Sequence, residues 1–187
     1  MKHKLSTLLA LVVLTMALAA STARAQTVAP GPYYAPPSWD QALPAATRFI
    51  VLSNMNSDAV LDRETGLVWE RSPSADTNSF QNADAFLCNF KNTGGRLGWR
   101  MPSVWELLSL VDRTQSSPTL PAGHPFNVSG SLTFWTNTPY SVGFGALSAW
   151  VVSFGFGGSG TQGVNNFVRA WCVRGVGGVA PVNPNSP

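Results

Sequence analysis

Val104, Leu107, Leu108 and Val111 fall at i, i+3, i+4 and i+7, so residues 104–112 predict a helix that turns one apolar stripe toward a larger core. Ser103 precedes it as N-cap and Glu106 follows three residues on, the spacing of a capping box. A second helical pattern, Phe80, Ala83, Leu87 and Phe90 with Phe86 beside them, predicts a helix over 80–91. Cys88 lies on or next to that stripe, and Asn92-Thr93-Gly94-Gly95 ends it. Elsewhere the pattern is that of strands. Residues 48–52 form one short run. Residues 59–70 form two runs around a charged turn that closes on Gly66, a hairpin signal. Residues 132–138, 149–154 and 168–174 predict three more strands. The Gly-rich segments 143–145 and 155–163 predict loops, and 114–130, with Pro118, Pro121 and Pro125, an irregular connection. Strands, two helices, long loops and strands again define an α+β domain.

The chain begins differently. Lys2, His3 and Lys4 precede an apolar run over 8–20 and then Ala23-Arg24-Ala25, which together predict a secretory signal peptide over 1–25, cleaved before Gln26. That run is shorter than the ~20 residues a membrane span needs. No later stretch is long enough, so no transmembrane segment is expected after cleavage. Residues 26–47 hold five prolines and read as an extended linker. Residues 48–175 form one domain and 176–187, rich in Gly and Pro, a flexible tail.

Cleavage changes the charge. Three basic residues leave with the leader, and nine basic residues then face nine acidic ones. A neutral mature chain argues against nucleic acid as a partner. All nine carboxylates lie at or before Asp112. The only two cysteines, Cys88 and Cys172, form an even pair in an exported chain, which predicts one disulfide.

Candidate chemistry is sparse. His124 is the one histidine after the leader, and it sits in a turn-rich segment as an exposed loop residue. Asp62, Glu64 and Glu70 suggest an acid/base pair only on paper, since exposed charges around a hairpin turn account for them. The count excludes a Cys/His zinc cluster, and 155–160 lacks the Lys-Ser/Thr of a nucleotide loop. Lys91, Arg96 and Arg100 flank one glycine turn and could form a small basic patch for acidic polysaccharide. Arg100 is expected to pair with an acid or with backbone carbonyls instead. The tryptophans at 69, 99, 105, 135, 150 and 171 are expected mainly in the core, Trp99 and Trp105 packing around the capped helix.

Five runs then occur in a particular order: Asp62-x-x-Thr65-Gly66-Leu67-x-Trp69, Gly98-Trp99-Arg100-Met101-Pro102-Ser103-x-x-Glu106-Leu107, Phe134-Trp135-Thr136-Asn137-Thr138-Pro139, Ala149-Trp150-x-Val152-x-Phe154 and Cys172-Val173-Arg174. Over residues 51–174 the chain resembles the exported bacterial domain at the C-terminus of the Legionella collagen-like adhesin. That resemblance implies a C-type-lectin-like fold, shared with formylglycine-generating enzymes, with a small, mostly antiparallel sheet, long Gly-rich loops and a disulfide from helix to terminal strand. It also places any binding surface on loops between Pro139 and Phe167, with Tyr140, Phe144, Phe156, Asn165 and Asn166 as candidates. Calcium-dependent sugar binding does not fit, because Asn137, Asn165 and Asn166 would be neutral ligands in a half of the chain without carboxylates. The expectation is a noncatalytic exported module, periplasmic, secreted or at the cell surface, without cofactor or metal, for adhesion or recognition of a surface glycan or protein. The alternatives are a structural envelope subunit and an enzyme of unrecognised type.

Overall fold

The computed structural model describes residues 43–130, 132–142 and 146–175. The expected leader, nearly all of the linker, Phe144 and the tail 176–187 lie outside the described residues.

Among the described residues, ten strands make two five-stranded sheets. After a single helical turn, α1 (Ala45–Arg48), come β1 (Phe49–Val51), β2 (Ala59–Asp62) and β3 (Val68–Glu70), paired antiparallel in order. The β2–β3 turn is built by Asp62. Its carboxylate accepts from the Glu64 amide at 3.1 Å and from the Thr65 hydroxyl at 2.9 Å, and Gly66 takes φ 77°. This is why Asp, Thr and Gly suit that spacing: a short acceptor, its donor and a left-handed residue. The first sheet is completed by β10 (Val173–Arg174) and β5 (Trp99–Arg100), in the order β1-β2-β3-β10-β5.

The second sheet has the order β4-β9-β6-β7-β8, from β4 (Thr77–Asn78), β9 (Val168–Arg169), β6 (Thr133–Val142), β7 (Ala146–Ser153) and β8 (Gly158–Gly163). All its pairings are antiparallel except β6 with β9. Two expectations are corrected here. The Gly-rich segment predicted as a loop over 155–163 contributes β8, because β7 offers it a full antiparallel edge from Ser148 to Ser153. The single strand predicted over 168–174 is two. Val168–Arg169 belongs to the second sheet and Val173–Arg174 to the first, and residues 170–172 cross between them fully buried. Two sheets therefore stand where one small sheet was expected.

The helices are shorter than their patterns. The capped one, α3, spans Val104–Leu108. The Cys88 helix, α2, is α-helical only over Phe80–Asn82 and widens into π-helical turns over Ala83–Cys88. The widening breaks the predicted stripe. Ala83 and Cys88 are buried, while Phe86 and Phe90 stack on each other outside, ring centroids 6.4 Å apart.

One core cluster centres on Trp171, whose ring meets Trp69, Phe126, Phe134 and Phe154 at 5.0–5.7 Å. Its indole N–H donates to the Glu70 carbonyl at 2.8 Å, so the polar edge is satisfied. The second cluster holds Trp99, Trp135, Ala170 and both cysteines. The Cys88–Cys172 disulfide ties α2 to the crossing segment, Cα atoms 5.4 Å apart.

Candidate functional site

Acidic side chains are the first place to look for chemistry, and here they build the frame. Asp62, Glu64 and Glu70, expected as exposed turn charges, are all buried. Arg48 Nε and Nη2 each donate to one Asp62 oxygen at 2.8 Å, and Nη2 also donates to the Ser109 carbonyl at 2.9 Å. Arg48 Nη1 lies 3.3 Å from Glu64. Burial without such a cation would cost several kcal/mol per carboxylate, about the range for an unpaired charge in a core. Glu70 accepts from the Thr93 hydroxyl, from Lys91 at 3.0 Å and from the Cys172 amide at 3.0 Å. It therefore holds the backbone of the disulfide itself.

The capped helix is bound in the same way. Ser103 and Glu106 form the reciprocal capping box, and Arg100 grips the Glu106 carboxylate with two bonds of 2.7 and 2.8 Å. In turn the Asn137 amide donates to the Pro102 carbonyl at 2.7 Å and Thr138 Oγ1 accepts from the Val104 amide at 3.0 Å, which fixes α3 to β6. Of the three residues in the basic patch, Lys91 is thus paired with Glu70 and Arg100 with Glu106, while Arg96 is exposed. Trp99 is buried as expected. Trp105 is not packed: 64% of it is exposed, because it falls off the stripe formed by Val104, Leu107 and Leu108.

His124 is half-buried rather than an exposed loop residue. Its ring stacks on Phe126 with centroids 5.9 Å apart, and Nδ1 accepts from the Phe126 amide at 3.2 Å. Burial pushes its pKa below the ordinary value. Arg169, also lowered by burial, donates to the carbonyls of Ser74, Pro73 and Ser129 and lies over the Phe134 ring at 4.9 Å. Among the described residues no group of three or more His, Cys, Asp or Glu side chains could hold a metal ion.

The candidate binding loops separate into two places. Phe156 is exposed at the β7–β8 turn, next to Gly157, whose carbonyl accepts from Arg113. Asn165 and Asn166 sit exposed in the turn after β8, about 17 Å away along that strand. Tyr140 belongs with the asparagines: it pairs with Ser148, and Ser148 pairs with Gly163. Its ring meets Trp150 edge to face at 5.4 Å. Phe144 lies outside the described residues. Trp150, Ser148 and Thr161, which sequence reasoning did not select, join Tyr140 on one face of the sheet. The signal for them was the alternation Ser148, Trp150, Val152 along β7.

A disulfide-tied α+β domain, anchored internally by the buried carboxylates of Asp62, Glu64, Glu70 and Glu106 and with no charged residue in β6, β7 or β8, is the class that this architecture defines. The chain matches the Lcl C-terminal domain family over residues 58–174 and belongs to it. Membership suggests an exported or surface domain. No curated protein matches the chain. No helix among the described residues is long and apolar enough to cross a membrane.

Proposed function

We propose that the chain is a noncatalytic recognition module, exported to the periplasm, the cell surface or the medium, that binds a glycan or a protein on a surface. One observation carries this reading: the side chains suited to acid/base work are engaged in holding the fold. Asp62, Glu64, Glu70 and Glu106 are buried against Arg48, Lys91, Arg100 and backbone donors, where a proton shuttle would lose the ion pairs that place it. The paired sheets and the helix-to-strand disulfide are compatible with the C-type-lectin-like fold, whose long loops suit recognition. The secreted chain is expected to bind to a glycan array or to intact cell surfaces, and to show no turnover in a broad hydrolase screen. Turnover lost in Glu106→Gln or His124→Ala, with the other variant active, would overturn the reading.

A further inference from the structure

We propose that the outer end of the β6–β7–β8 face, around Tyr140 and Trp150, binds an uncharged saccharide. The inference rests on the recognition reading above and names its ligand class.

Strand register defines the face. Residues paired across antiparallel strands share a side, so Tyr140 lies with Ser148 and Gly163, and Trp150 with Thr161. Two residues further along β7 the same side carries Val152, paired with Phe134 and buried in the core with Val104 and Leu107 of α3. The face thus runs from dry core to half-buried aromatic rings bordered by hydroxyls. Tyr140, Ser148 and Trp150 are each partly accessible, and Thr161 is exposed. Gly163 keeps the surface open beside Ser148: a Cβ there would meet only the Asn166 side-chain nitrogen, at 4.0 Å. The anchoring of α3 to Thr138 holds the inner border in place.

Charge selects among ligands. Residues 114–168 contain no Asp, Glu, Lys or Arg, and this stretch includes all of β6, β7 and β8. A sulfate, phosphate or carboxylate would be desolvated on this face without a counter-ion, which is unfavourable. A pyranose ring has the opposite requirements. Its C–H side is apolar and stacks on an aromatic ring, and its hydroxyls exchange hydrogen bonds with Ser, Thr and Asn, which both donate and accept. Two rings meeting edge to face offer one flat surface and one wall, enough to orient a single sugar unit.

The test is native gel electrophoresis of the secreted chain through dextran, galactomannan, arabinoxylan or heparin, with amide chemical-shift mapping. Retardation is expected in at least one neutral polysaccharide, unchanged between about 0.05 and about 0.5 M NaCl because no ion pair is formed. Tyr140→Ala is expected to weaken it about tenfold, as removal of an aromatic anchor does. Tyr140→Phe and the distant Phe156→Ala retain it. Should Tyr140→Ala fail to fold, the shift map of the unaltered chain decides, and shifts confined to residues away from β6–β8 overturn the proposal. Salt-sensitive retardation by heparin alone overturns it too, but leaves a recognition module with an anionic ligand. Cell binding without retardation in any polysaccharide overturns it in favour of a protein partner. Degradation of a polysaccharide overturns both readings.

Discussion

Arg48 and Asp62 meet in a two-point ion pair with almost no solvent exposure on either side chain. The pair joins the end of α1 to the end of β2, and through Ser109 it reaches the segment after α3. Three parts of the chain therefore depend on one guanidinium.

Removing one charge and leaving the other buried is expected to be expensive. Asp62→Asn keeps the shape of the turn but takes the two-point partner from Arg48 and leaves it Glu64 at 3.3 Å, and it is expected to lower the unfolding free energy by about 2 kcal/mol. The triple variant Arg48→Met, Asp62→Asn, Glu64→Gln is expected to recover part of the loss, since no charge of the cluster remains and the turn keeps its acceptor. Urea denaturation of the unaltered chain and the two variants measures this, and equal losses in the single and triple variants would show that the cluster acts only through packing.

The disulfide closes a long stretch of chain, its two cysteines 84 positions apart in the sequence. By the chain-entropy argument its removal in a Cys88→Ser, Cys172→Ser variant costs about 4.5 kcal/mol. The denatured, unreduced protein is expected to show no titratable thiol. Two free thiols would contradict the pairing.

His124 gives a pH dependence whose sign follows from its burial. Its folded pKa lies below the ordinary value near 6.5, so the unfolded chain takes up the proton first. The stabilisation by neutral His124 is complete above that ordinary value. It falls as the pH drops through the window between the unfolded and folded pKa values, and it is fully lost below the latter. Protonation also removes the Nδ1 acceptor for the Phe126 amide. His124→Gln is expected to flatten this part of the urea-midpoint profile below neutrality, and parallel profiles for the two proteins would exclude the histidine as its source.

Two neighbouring glycines separate backbone strain from steric clash. Gly94 and Gly95 have φ of 61° and 69°, but a Cβ on Gly94 would lie 2.6 Å from Met55, whereas one on Gly95 meets nothing within 4 Å. Gly95→Ala is expected to cost about 1 kcal/mol for its left-handed backbone. Gly94→Ala is expected to cost about 1–3 kcal/mol more, for the displacement of Met55. Thermal unfolding of the two variants gives the order directly.

Local signals in the sequence carried their local structures. The capping box at Ser103 and Glu106, the Gly66 hairpin and the cysteine pair each depend on residues close in sequence or on a count, and each is present. Trp105 was misplaced because tryptophan composition says nothing about which side of a five-residue helix it occupies. The burial of Asp62, Glu64 and Glu70 was hidden for a different reason: their shared partner Arg48 and the Lys91 that meets Glu70 arrive from other elements. Strand β8 has poor strand propensity, and only its pairing with β7 makes it one. The Tyr140–Trp150 face required register, since the irregularity between Trp135 and Pro139 decides which side Tyr140 takes.

The crossing segment near the end of the domain also sets an order of events. β9 lies between β4 and β6, and β10 between β3 and β5, so seven residues supply an interior strand to each sheet. A nascent chain that has reached only residue 167 has neither sheet complete, no partner strand for β5 and no second cysteine for Cys88. Closure of either sheet therefore waits for residues 168–174, so a single short segment sets when both halves of the domain become whole.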